Sequence, residues 1–150
     1  MSDEYALRAP ATADEWQAYH AIRRAVLFEA RGLGHTYNAS HPDEHLEGHH
    51  PLVLFHGDDA IGVIRVDLAG REAIFRRVAI RADRQRSGHG RKMLALAEGF
   101  ACAKGCVIIR SFVDDTAVQF YARCGFRPAD VPGHTSGVPM WKPVDGRAAG

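Results

Sequence analysis

The chain has 150 residues, which corresponds to one compact domain at the usual size of about 100–200 residues per domain. Hydrophobic residues make up 46% of the chain and charged residues 25%, and this composition excludes a disordered, collagen-like or coiled-coil protein. The formal net charge is +1, so the chain as a whole has no general attraction for nucleic acid or for a membrane surface.

The N-terminus predicts no targeting segment. Its first ten residues are acidic and polar, whereas a signal peptide needs a basic start followed by an apolar stretch. Three cysteines (Cys102, Cys106 and Cys124) are an odd number without CxxC spacing, which favours neither a disulfide framework nor a zinc ribbon. We therefore expect a cytoplasmic protein.

The first third of the chain predicts one strand, one helix and a long connection. A short strand is expected at residues 5–8. Asp14 can cap a helix that ends by Gly32, because its apolar positions recur in steps of three and four residues. Residues 32–51 are rich in Gly, His, Asn and Ser, with at most one helical turn at 43–47, and long connections of this kind are often functional.

The middle of the chain predicts three consecutive antiparallel strands and then a helix. Residues 52–55 and 61–68 flank a turn at Gly57-Asp58-Asp59, and a second turn leads into a strand at 73–80. After Asp83 the apolar period changes from two to about 3.6 residues, which predicts an amphipathic helix closed by Lys104-Gly105.

The last part predicts a strand at 106–112, a helix and two short strands. The helix carries Ala117, Phe120, Tyr121 and Cys124 on one face, and Gly125 is expected to end it with Phe126 folding back. A single domain then spans residues 1–143, followed by a flexible tail at 144–150. This order of elements predicts an α/β (α+β) fold.

Positive charge is concentrated between residues 71 and 92, where eight basic residues stand against two acidic ones. Within this segment, residues 85–91 form a glycine-punctuated loop between a strand and a helix. In such a loop backbone N–H groups converge, and the helix N-terminus adds roughly half a positive charge. The loop therefore predicts an anion site; the alternative is a solvated basic turn. P-loop and Rossmann motifs do not match, since Met93 stands where a third glycine is needed.

Two motifs in the correct order resemble the GNAT superfamily of acetyl-CoA-dependent N-acetyltransferases. The family's acyl-CoA loop, Gln/Arg-x-x-Gly-x-Gly/Ala, is matched by Gln85, Gly88 and Gly90. Its later pattern, Ala-x-x-Phe-Tyr-x-x-x-Gly-Phe, begins here at Ala117 and ends at Phe126. The resemblance covers residues 53–128 and implies a central mixed, mostly antiparallel sheet with helices on both faces. It also implies transfer of an acetyl group from acetyl-CoA to a primary amine by direct attack in a ternary complex.

The resemblance further implies the residues that contact the cofactor. The strand at 78–80 splays from its neighbour, and its backbone pairs with the pantetheine amides. The loop takes the pyrophosphate, and Tyr121 donates a proton to the leaving thiolate as general acid. Asp114 stands where the family often has Asn, and a carboxylate cannot donate the expected hydrogen bond. The implied cofactor contacts are Val78, Ala79, Ile80, Gln85, Arg86, Ser87, Gly88, His89, Gly90, Arg91, Asp114, Ala117 and Tyr121.

The general base is not supplied by these motifs. Many family members carry a catalytic Glu on the strand before the loop, where this chain reads Ile74-Phe75-Arg76-Arg77. Seven of the nine histidines precede residue 57, and a histidine titrates near pH ~6.5, as a base for an ammonium group requires. We expect Glu44 or His45 to be the base, with Glu29 and Asp67 as further candidates. Three acidic residues at 43–47 favour a cationic acceptor.

Three alternatives remain open at this stage. His41, His45 and His49 are spaced by four residues, which is compatible with a histidine-rich metal-binding protein, although Pro42 and Gly48 interrupt a helix there. A nucleic-acid binder would use the basic segment but lacks interleaved aromatic residues. A non-catalytic acyl-CoA-binding module is the third. We expect no metal requirement, no nucleic acid and no membrane partner, and family analogy suggests a homodimer. The acceptor amine stays open, from a small molecule to a protein lysine.

Overall fold

The structure is a computed structural model and describes residues 4–29, 32–34, 37–40, 45–129 and 137–145. Its strands and α-helices in these ranges are, in chain order, β1 (Tyr5–Arg8), α1 (Ala13–Arg23), β2 (His49–His56), β3 (Asp59–Ala69), β4 (Glu72–Ile80), α2 (His89–Ala103), β5 (Ile108–Val113), α3 (Val118–Arg123), β6 (Arg127–Pro128) and β7 (Val138–Pro143). A π-helix (Arg24–Phe28) continues α1, and short 3₁₀ turns precede α2 and α3.

The strands form one sheet in the order β1-β2-β3-β4-β5-β7-β6. The pairing of β4 with β5 is parallel, and every other described pairing is antiparallel. The predicted fold class, a mixed and mostly antiparallel sheet with helices on both faces, is therefore confirmed.

Two apolar cores lie on opposite faces of this sheet because successive strand residues point to opposite sides. On the face covered by α1, here the α1 face, Tyr19 and Ile22 pack against Val53, Val63 and Ala79. On the other face, here the α2 face, both α2 and α3 cover a larger core. Its buried members include Ile64, Phe75, Met93, Leu94, Ala97, Ile109, Tyr121 and Phe126.

The helix ends follow the sequence, with one correction at α1. Thr12, rather than Asp14, is the N-cap: its hydroxyl accepts a hydrogen bond from the N–H of Glu15. The Glu15 carboxylate in turn accepts from the N–H of Ala11, the residue before the N-cap, in a variant of the capping box. At the end of α3, Gly125 has a left-handed φ of 95°, and the N–H of Phe126 returns to the carbonyl of Tyr121, as predicted.

The C-terminal end requires a second correction. The predicted tail begins at residue 144, yet the N–H of Val144 donates to the carbonyl of Val107 at 2.9 Å, and its side chain packs on the α2-face core. Residues 146–150 lie outside the described residues, as do Asp43 and Glu44 of the predicted helical turn. None of the helices in the described ranges is long and apolar enough to cross a membrane.

Candidate functional site

The central feature of the site is a gap between two neighbouring parallel strands. β4 pairs with β5 over four residues only, from Glu72 opposite Ile108 to Phe75 opposite Ser111. Beyond Phe75, β4 continues to Ile80 but pairs with β3 alone. The β4 edge from residue 76 to residue 80 therefore faces an opening that β5 does not fill.

A β-bulge accompanies this divergence. Arg65 lies opposite Arg76 and Val63 lies opposite Ala79, so two β4 residues, Arg77 and Val78, stand opposite one residue of β3. Arg77 has a φ of 57°, which is unusual for a residue with a side chain. An extra residue of this kind bends the strand that carries it and increases its twist, which is consistent with β4 leaving β5 at this point.

The backbone groups along the open edge point in known directions. The N–H of Arg81 donates to the carbonyl of Ile61 on β3 at 2.8 Å. Because strand backbone groups alternate in direction, those of Ala79 also point toward β3, and those of Ile80 and Val78 point into the gap. The Gln85 side-chain amide donates to the Ile80 carbonyl at 2.9 Å, so this motif residue ties the loop to β4.

The glycine-punctuated loop leads directly into α2. Arg86 and Gly88 both have left-handed φ values, 65° and 84°, and Gly88 is the N-cap of the helix. The loop residues from Gln85 to Gly88 are exposed. The first turn of a helix leaves its N–H groups without intrahelical partners, so these donors and the helix dipole face the exposed loop. Arg91, also exposed, lines a cavity of about 200 Å³ between α2 and α3.

The two motif glycines have different structural roles. A Cβ on Gly88 would meet nothing within 4 Å, so glycine is favoured there by its left-handed backbone conformation and not by crowding. A Cβ on Gly90 would lie 3.3 Å from Cζ of Phe120 on α3. Gly90 therefore allows close packing between α2 and α3, a role that the motif itself does not reveal.

His89 belongs to the loop motif, but its side chain is buried beneath the edge of the sheet. A hydrogen bond of 2.7 Å joins its Nδ1 to the hydroxyl of Tyr5 on β1, and the ring of His56 lies 5.1 Å away. Burial lowers the pKa of His89, and the nearby His56 and Arg84 lower it further. Only the backbone of His89 is placed to serve an anion, and its side chain anchors α2 to β1.

The cations near the loop are not all available to a ligand. Arg84 donates to Asp59 at 2.7 Å, and Arg81 donates to both Asp59 and Asp83. The hydrogen bonds from Arg81 hold the pKa of both carboxyl groups below its ordinary value, against a smaller opposing effect of burial. Arg84 is therefore not a mobile cation beside the loop, because this ion-pair network fixes it to the β2–β3 turn.

Tyr121 lies where β4 and β5 separate. Its side chain is only 6% exposed, and its hydroxyl is hydrogen bonded to Ser111. Ser111 donates in turn to the carbonyl of Phe75, the last β4 residue that pairs with β5. Burial raises the pKa of Tyr121 to about 12, against the opposing effect of Ser111, so the phenol keeps its proton at neutral pH.

Asp114 and Ala117 lie between β5 and α3. One Asp114 carboxylate oxygen accepts from the N–H and the hydroxyl of Thr116, at 3.1 and 2.9 Å, and thereby caps the short helical turn before α3. The Asp114 carboxylate therefore only accepts hydrogen bonds here, at the position where the family often has an asparagine side chain. Ala117 is half-buried and packs on the α2-face core.

On the α1 face, a cavity of about 350 Å³ is lined by charged side chains of β3 and β4. Buried Arg65 donates to both oxygens of Asp67, at 2.8 and 3.0 Å, and Arg76 donates to Asp67 at 3.0 Å. His49 Nε2 lies 3.5 Å from the same carboxylate. Asp67 is the cross-strand neighbour of Ile74. The cavity residues are Leu46, His49, Arg65, Asp67, Arg76 and Arg77.

The structure separates the predicted base candidates. His45 is exposed, and its ring packs 5.6 Å from that of Trp16 on α1. Glu29 lies on the surface, 3.9 Å from Arg24, and Glu44 lies outside the described residues. His49, which the sequence did not single out as a base, lines the cavity. Its sequence signal is weak, because it depends on the register that places β2 opposite Asp67.

The histidine cluster gives the metal-binding alternative no site in the described part of the chain. No three His, Cys, Asp or Glu residues there are placed to hold a metal ion. His45 packs on Trp16 while His49 packs on Asp67, and His41 lies outside the described residues.

Comparisons with known proteins agree with this geometry. The acetyltransferase (GNAT) domain family matches residues 47–128, more than half of the chain. A presumed N-acetyltransferase from Lactobacillus plantarum superposes with a TM-score of 0.78 at 26% identity, over 95% of this chain and 99% of that one. The ribosomal-protein-S18-alanine N-acetyltransferase from Escherichia coli gives 0.73 at 16% identity, over 95% of each chain. The PaiA N-acetyltransferase from Thermoplasma acidophilum, solved with coenzyme A, gives 0.72 at 17% identity, over 94% of this chain and 99% of that one.

Proposed function

The chain belongs to the GNAT acetyltransferase family, and from this premise we propose that it transfers an acetyl group from acetyl-CoA to a primary amine. The amine nitrogen bonds to the acetyl carbon, the carbon–sulfur bond breaks, and the thiol of CoA leaves. Both substrates are bound during this step, because no cysteine is activated as a nucleophile. Burial raises the pKa of the Cys102, Cys106 and Cys124 thiols instead.

The observation that carries this proposal is the open β4 edge beside the N-terminus of α2. The N–H and carbonyl of Val78 and the N–H of Ile80 face the gap and can pair with the amides of pantetheine as an added strand would. The exposed N–H groups of the loop and of the first turn of α2 can hold the pyrophosphate. These two features suit the two chemically distinct parts of an acyl-CoA.

Tyr121 is proposed to act on the leaving sulfur. Its hydroxyl lies at the closed end of the gap, bonded to Ser111. A phenol that stays protonated can donate a hydrogen bond to negative charge as it develops on the sulfur. Ser111 keeps its own hydrogen bond to Phe75 and therefore acts as a fixed support when the Tyr121 proton turns toward the thioester.

The base that takes the proton of the ammonium group is proposed to be His49. It lines the α1-face cavity, which reaches Arg76 and Arg77 at the point where β4 leaves β5, whereas His45 is exposed against Trp16. The Asp67 carboxylate already accepts from Arg65 and Arg76, so it suits the orientation of His49 better than proton abstraction. Glu44 stays a prediction from the sequence.

The proposal is tested by calorimetric titration with acetyl-CoA, with ADP as the comparison ligand and a chelator as the control, followed by an assay of thiol release with primary amines. Chelator-independent binding much tighter than that of ADP, with amine-dependent thiol release, is the expected result. Binding without thiol release for any amine would favour the non-catalytic acyl-CoA-binding module. Binding that disappears with the chelator would favour a metal-dependent protein.

A matched pair of glycine variants tests the loop. Gly88→Val places a branched side chain where the pyrophosphate should approach, and we expect at least ~10-fold weaker acetyl-CoA binding. Gly70→Val is the control, because Gly70 also has a left-handed φ (61°) and open space around it but lies in the β3–β4 turn. Equal loss of affinity in both variants would show that backbone strain, not the loop, is responsible.

A further inference from the structure

The α1-face cavity contains an arginine whose orientation is fixed and whose terminal nitrogens are open to a ligand. Arg76 is the first β4 residue beyond the stretch that pairs with β5, so it stands at the mouth of the gap. Its Nε donates to Asp67 at 3.0 Å, and its guanidinium lies 5.6 Å over the ring of Phe112. Its side chain is nevertheless 41% exposed.

The rest of the Arg76 guanidinium is available. Among the contacts that the structure describes, its two terminal nitrogens, Nη1 and Nη2, make no hydrogen bond to the protein. Both nitrogens carry N–H donors along one edge of the planar group, and this edge matches the two oxygens of a carboxylate. Because Asp67 and Phe112 hold the plane, little side-chain freedom is lost when a ligand binds there.

Among the residues that the structure describes around this cavity, the charges leave the positive charge of Arg76 in excess. Arg65 is buried and donates to both oxygens of Asp67, so these two side chains form a bidentate neutral pair. Arg76 brings a second positive charge to the Asp67 carboxylate, whose negative charge Arg65 already balances. An acceptor with additional positive charge, such as a polyamine, would meet this cation unfavourably.

From this geometry, and resting on the proposed acetyl transfer, we propose that the acceptor is a small amine that also carries a carboxylate, as an amino acid does. The carboxylate binds Nη1 and Nη2 of Arg76, and the amine faces the gap between β4 and β5. The cavity volume of about 350 Å³ suits a molecule of this size. This proposal differs from the expectation of a cationic acceptor, which rests on acidic residues at 43–47, and the tests below distinguish the two.

The first test compares acceptors with a carboxylate against acceptors that lack it. Thiol release from acetyl-CoA is measured with L-α-amino acids and β-alanine, each against its own carboxamide, and with spermidine as a polyamine. We expect kcat/KM for the acids to exceed that of their amides by roughly 10- to 100-fold, as expected for a charge-assisted bidentate pair. The same compounds are titrated into the CoA-saturated protein, so that the preference for acids over amides is also measured as binding affinity.

The second test removes the guanidinium. Arg76→Gln should abolish the preference for acids over amides through KM, with acetyl-CoA binding unchanged, and Arg76→Lys should restore part of it. Neither variant leaves the Asp67 carboxylate unpaired, because Arg65 still donates to it. Arg110→Gln is the matched control: Arg110 lies on the neighbouring strand and is already paired with Glu72 at 2.9 Å. The Arg110→Gln variant should keep the preference for acids over amides.

The outcomes separate this inference from the function on which it rests. If amides or spermidine react or bind as well as the acids, the inference is wrong while acetyl transfer stands. If acids are preferred equally in Arg76→Gln, the carboxylate is bound elsewhere and the assignment to Arg76 fails. If acetyl-CoA does not bind at all, the proposed function fails first.

Discussion

Replacement of Tyr121 by phenylalanine removes one hydroxyl from the closed end of the gap and changes little else. The ring is 6% exposed and packs against Phe120 and Phe126, and phenylalanine keeps those contacts. Ser111 still donates to the carbonyl of Phe75, so its proton keeps a partner. We therefore expect Tyr121→Phe to fold normally and to bind acetyl-CoA within about twofold of the wild-type affinity.

The size of the effect on turnover follows from the pKa of Tyr121. Its value of about 12 exceeds the ~8.5 of a thiol by roughly 3.5 pKa units, so complete proton transfer to the thiolate is uphill by about 5 kcal/mol. On this basis we expect the phenol to act as a hydrogen-bond donor to developing charge rather than as a full acid. A charge-assisted hydrogen bond contributes about 1.5–3 kcal/mol, which corresponds to a loss of roughly 10- to 150-fold in kcat.

Steady-state thiol release at saturating acetyl-CoA measures this loss, and calorimetry checks that affinity is unchanged. Between about pH 6 and pH 9 the kcat of the wild-type protein should show no fall caused by ionisation of Tyr121, because the phenol stays protonated in this range. Turnover of Tyr121→Phe within twofold of wild type would remove Tyr121 from the chemistry. A loss well above ~10³-fold would contradict the hydrogen-bond argument and indicate true proton transfer.

The remaining predictions concern stability and pH. Because burial lowers the pKa of His89 in the folded state, the unfolded state binds more protons below about pH 6.5, and the free energy of unfolding should fall as pH drops from ~6.5 toward ~5. Across this range the thermal unfolding temperature should depend less on pH in His89→Gln than in wild type. His45→Gln, at an exposed position, should behave as wild type. An unchanged pH dependence in His89→Gln would contradict this reasoning. The pKa of His50 is also lowered by burial, so a smaller dependence should remain. Gly90→Val should reduce the free energy of unfolding in urea by about 1–3 kcal/mol, because its Cβ would lie 3.3 Å from Phe120. Gly99→Val on the same helix should have little effect, since a Cβ there meets nothing within 4 Å, and equal losses in both variants would refute the packing argument.

The elements were predictable because their signals are local. The period-two pattern at 61–68 and 73–80, the apolar stripe of α2 and the glycine that ends α3 each depend on a few adjacent residues. The split between β4 and β5 was expected only through the family resemblance, since no residue pattern states where two strands stop pairing. The bulge at Arg77 accompanies this split, but arginine is not a residue type that predicts a left-handed φ, so the sequence did not indicate the bulge.

What the sequence could not supply depends on contacts between distant segments. Tyr5 and His89 are separated by 84 positions, and only the docking of α2 against β1 turns the His89 side chain away from the loop. The Asp67 cluster depends on the register of three strands, which brings together His49, Arg65 and Arg76. A single one-residue slip in either pairing would place these side chains on opposite faces.

The proposed cofactor site is tested most directly by amide hydrogen exchange along β4, measured by NMR with and without acetyl-CoA. The N–H groups of Val78 and Ile80 face the gap, whereas that of Ala79 points toward β3 and serves as an internal control. If the acyl-CoA pairs with this edge, exchange at Val78 and Ile80 should slow by at least ~10-fold while Ala79 changes little. Binding of acetyl-CoA without selective protection of Val78 and Ile80 would contradict the assignment of the β4 edge as the cofactor site.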